Sequence, residues 1–170
     1  MLDRSHSESP LVLFSERLTN SAAFGTLFRE GMDLVEETAA YLDGDGRTEA
    51  KALERSVSLT YATESMRLTT RLMQLASWLL LHRAVKEGEM TLTQANREKT
   101  KVKLSAADPG PEDMIAKLPP QLQELIERSM NLQSRVRRLD ISIHAGPAER
   151  APIGNPLVPQ LNRLKAAFEQ

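Results

Sequence analysis

RTEAKALERSVSLTYATESMRLTTRLMQLASWLLLHRAVKE, residues Arg47 to Glu87, contains neither glycine nor proline. So long a run without a backbone punctuator excludes a β-rich fold and predicts one continuous helix, roughly 60 Å at 1.5 Å per residue. Leu53, Val57, Tyr61, Leu68, Leu72, Leu75 and Leu79 recur at helical spacing and form one apolar face. A second series, Leu59, Met66, Met73 and Leu80, repeats every seven residues on an adjoining face. An apolar arc that wide needs two sets of neighbours, either two other helices or one helix and a second copy of the chain. Gly88 ends the helix.

Upstream, Phe24, Leu27, Phe28, Leu34, Val35, Thr38 and Leu42 give the first helix a single stripe, with Asn20 or Ser21 as its cap. Gly25 and Gly31 lie within it, where a missing side chain permits close packing. The stretch Asp43-Gly-Asp-Gly46 reads as a helix-ending turn, with Thr48 capping the next helix, and the shortness of the loop predicts antiparallel neighbours. It fails as a calcium loop. With Gly46 at the sixth position, Ala52 stands where a bidentate glutamate is required; counted from Asp43, Thr48 takes the glycine position.

Downstream, Thr91–Lys101 predicts a short helix with Thr91 or Thr93 as cap and a polar middle. Asp108-Pro-Gly-Pro111 breaks the chain, and Pro119-Pro120 supplies a first-turn proline for the last helix. In that helix Leu122, Leu125, Ile126, Leu132, Val136, Leu139 and Ile143 return at three and four. The expected fold is all-α: an antiparallel three-helix bundle over residues 21–144 with one long central helix. A flexible or extended leader, 1–20, precedes it, and a disordered Pro/Gly-rich tail, 145–170, follows. Within the tail Leu157, Leu161, Leu164 and Phe168 would line one face of a docking helix, 157–168, if a partner supplied the groove.

Composition excludes several functions. The chain is 41% hydrophobic and 26% charged but only 4% aromatic, so Leu, Ala and Met must fill the core. The absence of cysteine removes disulfides, iron–sulfur clusters and thiol nucleophiles, and suits a cytoplasmic setting. A net charge of −1 attracts neither nucleic acid nor an anionic membrane as a whole. The most apolar run, Leu72–Leu81, is too short to span a bilayer.

Catalytic patterns are missing. The hydroxyls of the long helix (Ser56, Ser58, Thr60, Thr63, Ser65, Thr69, Thr70 and Ser77) sit in no nucleophile elbow and read as small packing residues. His6, His82 and His144 have no carboxylate pair at ligand spacing, so neither a metal nor a cofactor is expected, and His82 reads as a partly exposed helix-end residue. Arg135, Arg137 and Arg138, with Arg128, form a basic strip suited to an acidic protein surface. A basic helical module for nucleic acid, or a general scaffold module, is the alternative, the former weakened because no aromatic residue interleaves with the arginines.

Two blocks, FGTLFREGMDLVEETAAYLDGDGR over Phe24–Arg47 and YATESMRLTTRLMQLASWLLL over Tyr61–Leu81, resemble the alphaproteobacterial RcdA family, regulators of CtrA degradation. The likeness is strong from about Phe14 to Leu104 and looser over the last helix. It implies a cytoplasmic, non-enzymatic adaptor, a dimeric three-helix bundle that helps the ClpXP protease receive cell-cycle regulators such as CtrA, often at the cell pole. In that family a response-regulator-like factor primes the protease, a cyclic-di-GMP-binding protein links the bundle to CtrA, and a flexible carboxyl tail is typical. The family offers no short catalytic motif to transfer. The heptad series Met66, Met73 and Leu80 is the expected dimer seam, since methionine packs adaptably.

Overall fold

The computed structural model describes residues 22–99 and 110–144; the expected leader and tail, including Leu157, Leu161, Leu164 and Phe168, lie outside them. Six helices follow in order among the described residues: α1 (Ala22–Asp43), α2 (Asp45–Lys51), α3 (Arg55–Lys86), α4 (Leu92–Lys99), α5 (Glu112–Ile115) and α6 (Pro120–His144). No strand occurs among them. The long helices α1, α3 and α6 form a three-helix bundle with one continuous core.

Each of these helices buries the stripe its spacing predicts. Phe24, Leu27 and Leu34 come from α1, Leu68, Leu72, Leu75, Trp78 and Leu79 from α3, and Leu122, Leu125, Leu132 and Val136 from α6. A fully buried leucine contributes about 1.5–3 kcal/mol relative to exposure, so these stripes dominate the stability of the bundle. The three helices converge at Gly31, where a Cβ would come within 2.5 Å of Leu79 Cδ1 and 3.6 Å of Leu132 Cδ2. Gly25 has open space instead, so of these two α1 glycines it is Gly31 that serves close packing.

Cross-helix contacts fix the directions. Glu37 pairs with Arg128 at 2.8 Å and Glu30 with Arg135, so α1 runs antiparallel to α6. Phe24 lies against Trp78 at one end, while Tyr41 and Tyr61 flank Gly46 at the other, making α1 antiparallel to α3 as well. By contrast, Arg71 bonds Ser129, Trp78 bonds Asp140, and His82 lies edge-on to His144, so α3 and α6 run side by side in the same direction. The chain is back against Glu64 at Gly110 before α6 begins.

The predicted single helix from Arg47 to Glu87 is two helices. Ala52 N–H and Leu53 N–H donate back three residues, to Glu49 and Ala50, and Glu54 turns extended at ψ 153° before Ser58 restarts the ladder on the Glu54 carbonyl. The 32 residues of α3 then span about 48 Å rather than 60 Å. Packing drives this break. It sets α2 across the end of the bundle, where the buried Gly46 lies under both tyrosines, Tyr41 Oη donates to Glu49 Oε2 at 2.8 Å, and Leu53 packs against the core. Gly44, not Thr48, occupies the cap of α2, and Gly46 is helical rather than part of the turn.

Other termini follow local rules. Gly88 adopts φ 74°, and the Glu89 N–H reaches the Ala84 carbonyl, closing α3 in a Schellman pattern. Thr91 and Gln94 exchange side-chain and backbone bonds in a capping box at the start of α4. Pro120 opens α6 as expected. Of the α3 hydroxyls, Thr60, Thr63, Thr69 and Ser77 bond carbonyls four residues back, whereas Ser65 Oγ is buried.

Candidate functional site

The outer face of α3 carries the heptad series, and the bundle leaves it bare. Leu59 is 71% exposed, Met66 72%, Met73 65% and Leu80 52%, on a helix whose leucines at positions 68, 72, 75 and 79 are almost fully buried. Exposed single apolar residues are ordinary, but a row of four on one helix is an interaction feature. Two grooves flank the row. One, of about 330 Å³, lies toward α1 and is lined by Val35, Ala39, Leu42, Leu72 and Met73. The other, of about 340 Å³, lies toward α6 between Thr63, Met66, Arg67, Arg71, Gln74 and Gln133. A methionine ridge between two grooves offers the knobs and holes that a helical partner needs.

The α6-side groove has a charged floor. Glu64 and Arg71 are both buried, Arg67 Nη1 pairs with Glu64 Oε1 at 2.6 Å, and Gly110 closes over the pair so tightly that a Cβ would meet the carboxylate at 2.5 Å. Arg71 donates to Ser129 Oγ at 2.7 Å, and its Nε is a buried donor without a hydrogen-bond partner. Burial lowers the Arg71 pKa, with Glu64 acting in the opposite direction. In the sequence Arg55, Arg67, Arg71 and Glu64 read as a solvated face with local salt bridges; the Glu64–Arg67 bridge is present, but Glu64 and Arg71 are buried rather than solvated.

The basic strip divides. Arg135 is committed within the bundle to Glu30, whereas Arg137 and Arg138 are exposed on α6, one turn before the 64%-exposed Ile141. This leaves a smaller basic and apolar patch than the sequence suggests.

His82 is a correction: it is fully buried rather than partly exposed. Its ring stacks on Trp78 at 3.9 Å and 20°, its Nδ1 lies 2.9 Å from the Trp78 carbonyl, and burial pulls its pKa down to about 4. Asp140 lies beside it and accepts from Trp78 Nε1 at 2.8 Å and from Lys99 Nζ at 2.6 Å. Burial alone would raise the Asp140 carboxyl, but the contacts of His144, Lys99 and Trp78 outweigh it and hold the group below the usual carboxylate range. Asp140 and His144 share a face of α6 at i, i+4, which the sequence does display. Their meeting with His82 depends on the parallel alignment of α3 with α6, which no local pattern encodes.

Among the described residues no helix is long and apolar enough to cross a membrane. A family model described as a protein of unknown function, DUF1465, matches residues 15–168. Among solved structures, RcdA from Caulobacter crescentus CB15 is similar with a TM-score of 0.63 and 49% sequence identity, the match covering 77% of this chain and 98% of that one. No curated protein matches.

Proposed function

The chain belongs to the RcdA family, and from that premise we propose that it is a non-enzymatic adaptor that delivers cell-cycle regulators such as CtrA to the ClpXP protease. The observation that carries the reading is the exposed heptad row Leu59, Met66, Met73 and Leu80 between its two grooves. An adaptor works by raising the effective concentration of cargo at the protease, which requires docking surfaces but no reactive group. The outer face of α3 supplies one such surface. Through Met66, Met73 and Leu80 it pairs two copies of the chain, and the antiparallel contacts of α1 with α3 and α6 keep it rigid. The exposed Arg137 and Arg138 meet an acidic protein partner, Arg135 remaining engaged with Glu30.

The remaining assignments follow the family. A primed protease and a cyclic-di-GMP-binding adaptor are the proposed associates, with the 145–170 segment and its Leu157, Leu161, Leu164 and Phe168 as a docking element and the cytoplasm, at the cell pole, as the place of action. Reconstituted proteolysis tests the reading directly. With ClpXP, the priming factor, the cyclic-di-GMP-binding adaptor and CtrA held constant, adding this chain should accelerate CtrA loss several-fold. An unchanged rate across a range of chain concentrations would refute delivery.

A further inference from the structure

We propose that His82, Asp140 and His144 form a binding site for a divalent transition-metal ion of zinc-like character, a property that does not rest on the adaptor reading. One ligand atom from each of the three lies within 4.8 Å of the others. A cluster alone is not a site, but here a buried group points to a ligand. The Trp78 carbonyl can only accept, so the contact at 2.9 Å requires His82 Nδ1 to carry the hydrogen. In a neutral imidazole this leaves Nε2 with a bare lone pair, and Nε2 is buried without a hydrogen-bond partner. Metal-bound histidines are commonly oriented in this way, by a carbonyl that accepts from the second ring nitrogen.

The α6 side of the cluster has matching geometry. Asp140 and His144 stand at i, i+4, the helical spacing that places two ligands on one ion. Their Oδ1 and Nε2 atoms are 3.3 Å apart, yet His144 Nε2 makes no hydrogen bond. An ion with four tetrahedral bonds of about 2.0 Å holds its ligand atoms about 3.3 Å apart, so this pair already has the separation of a coordination edge. With the three ligand atoms within 4.8 Å of one another, the His82 ring needs to approach by roughly 1.5 Å to complete the face.

The surrounding groups fit an outer shell. Trp78 Nε1 donates to Asp140 Oδ1 and Lys99 Nζ to Oδ2, so the carboxylate is oriented by two donors while Oδ1 keeps a second lone pair. The Lys99 ammonium opposes a second cation. That repulsion falls on every cation alike; the ligands make the choice, since one carboxylate and two imidazoles suit a zinc-like ion better than Mg²⁺ or Ca²⁺, which need several oxygen ligands. Such an ion would fasten the carboxyl ends of α3 and α6 together, with α4 held alongside through Lys99.

The chain contains one tryptophan, Trp78, stacked on His82, so its fluorescence reports on the site. The full chain, freed of metal with EDTA, should show a saturable change in that fluorescence with ZnCl₂, at one ion per chain and micromolar midpoint, and quenching with CoCl₂ at the same stoichiometry. His144→Ala and Asp140→Asn should each weaken the midpoint at least tenfold, while His6→Ala leaves it unchanged. Imidazole NMR of the unsubstituted chain gives a reading that no folding defect can obscure: zinc should shift the ring nitrogens of His82 and His144 and spare His6. A flat titration to millimolar zinc, equal binding by His144→Ala, or a shift confined to His6 would overturn the site.

Discussion

The two apolar series of α3 differ little in residue type and almost completely in environment. Leu68, Leu72, Leu75 and Leu79 face α1 and α6 and are sealed from solvent, while Leu59, Met66, Met73 and Leu80, on the same helix, face outward. One helix thus does two jobs: its inner series holds the chain together, and its outer series is available to another molecule. Sequence distinguishes the series only by period, since a helix with 3.6 residues per turn lets a seven-residue repeat drift slowly across its surface.

The largest effects should separate the two faces. Leu79→Ala removes a fully buried side chain at the convergence with Gly31 and should cost about 3 kcal/mol of folding stability in urea or thermal unfolding. Met73→Glu on the outer face should change monomer stability by less than about 0.5 kcal/mol but shift sedimentation from dimer to monomer. Equal destabilisation by the two, or a dimer that survives the Met73→Glu substitution, would erase the distinction.

A comparable effect is expected from pH at the inner end of α3. His82 binds a proton at about pH 4 when folded and at about 6.5 when unfolded, so between these values the unfolded chain holds more protons. Stability is therefore fully present above pH 6.5 and falls as the pH drops toward 4, by about 3 kcal/mol. Asp140, held low by its partners, adds to the loss at still lower pH; Lys99 and His144 are the other charged or titratable groups that act on His82. Denaturant titrations at pH 7, 5.5 and 4 read the slope. A level profile across that window would show that His82 is not held neutral by burial.

The smallest effect contrasts two glycines. Gly46→Ala places a methyl group within 2.8 Å of the Tyr41 carbonyl oxygen and 2.7 Å of Tyr61 Oη, and should cost about 1–2 kcal/mol after its gain in helix propensity. Gly25→Ala meets nothing within 4 Å and should stabilise α1 by up to about 1 kcal/mol. Thermal midpoints moving in the same direction would remove the close approach that places α2 under the tyrosines.

Much of the bundle was legible because its cause is local. The three-and-four spacing of Leu122, Leu125, Ile126, Leu132 and Val136 specifies a buried face whatever lies opposite, and Thr91 with Gln94 or Gly88 specifies a terminus through its own backbone bonds. The candidate surface was half legible. Met66, Met73 and Leu80 were separable from the core series by their repeat, but a repeat cannot say whether a third helix covers it. Arg135 looked equivalent to Arg137 and Arg138 until Glu30, more than a hundred residues earlier in the chain, claimed it.

The amino-acid sequence by itself determined that this protein is helical, where most of its helices start and stop, and which side chains must be shielded from water, because hydrogen-bond ladders, caps and amphipathic period act over a few residues. Only the tertiary structure decided that the chain breaks at Ala52–Glu54, that α6 runs alongside α3 rather than against it, and that His82, Asp140 and His144 meet. Those outcomes depend on which distant surfaces compete for the same core, and that competition is settled by packing the whole chain at once.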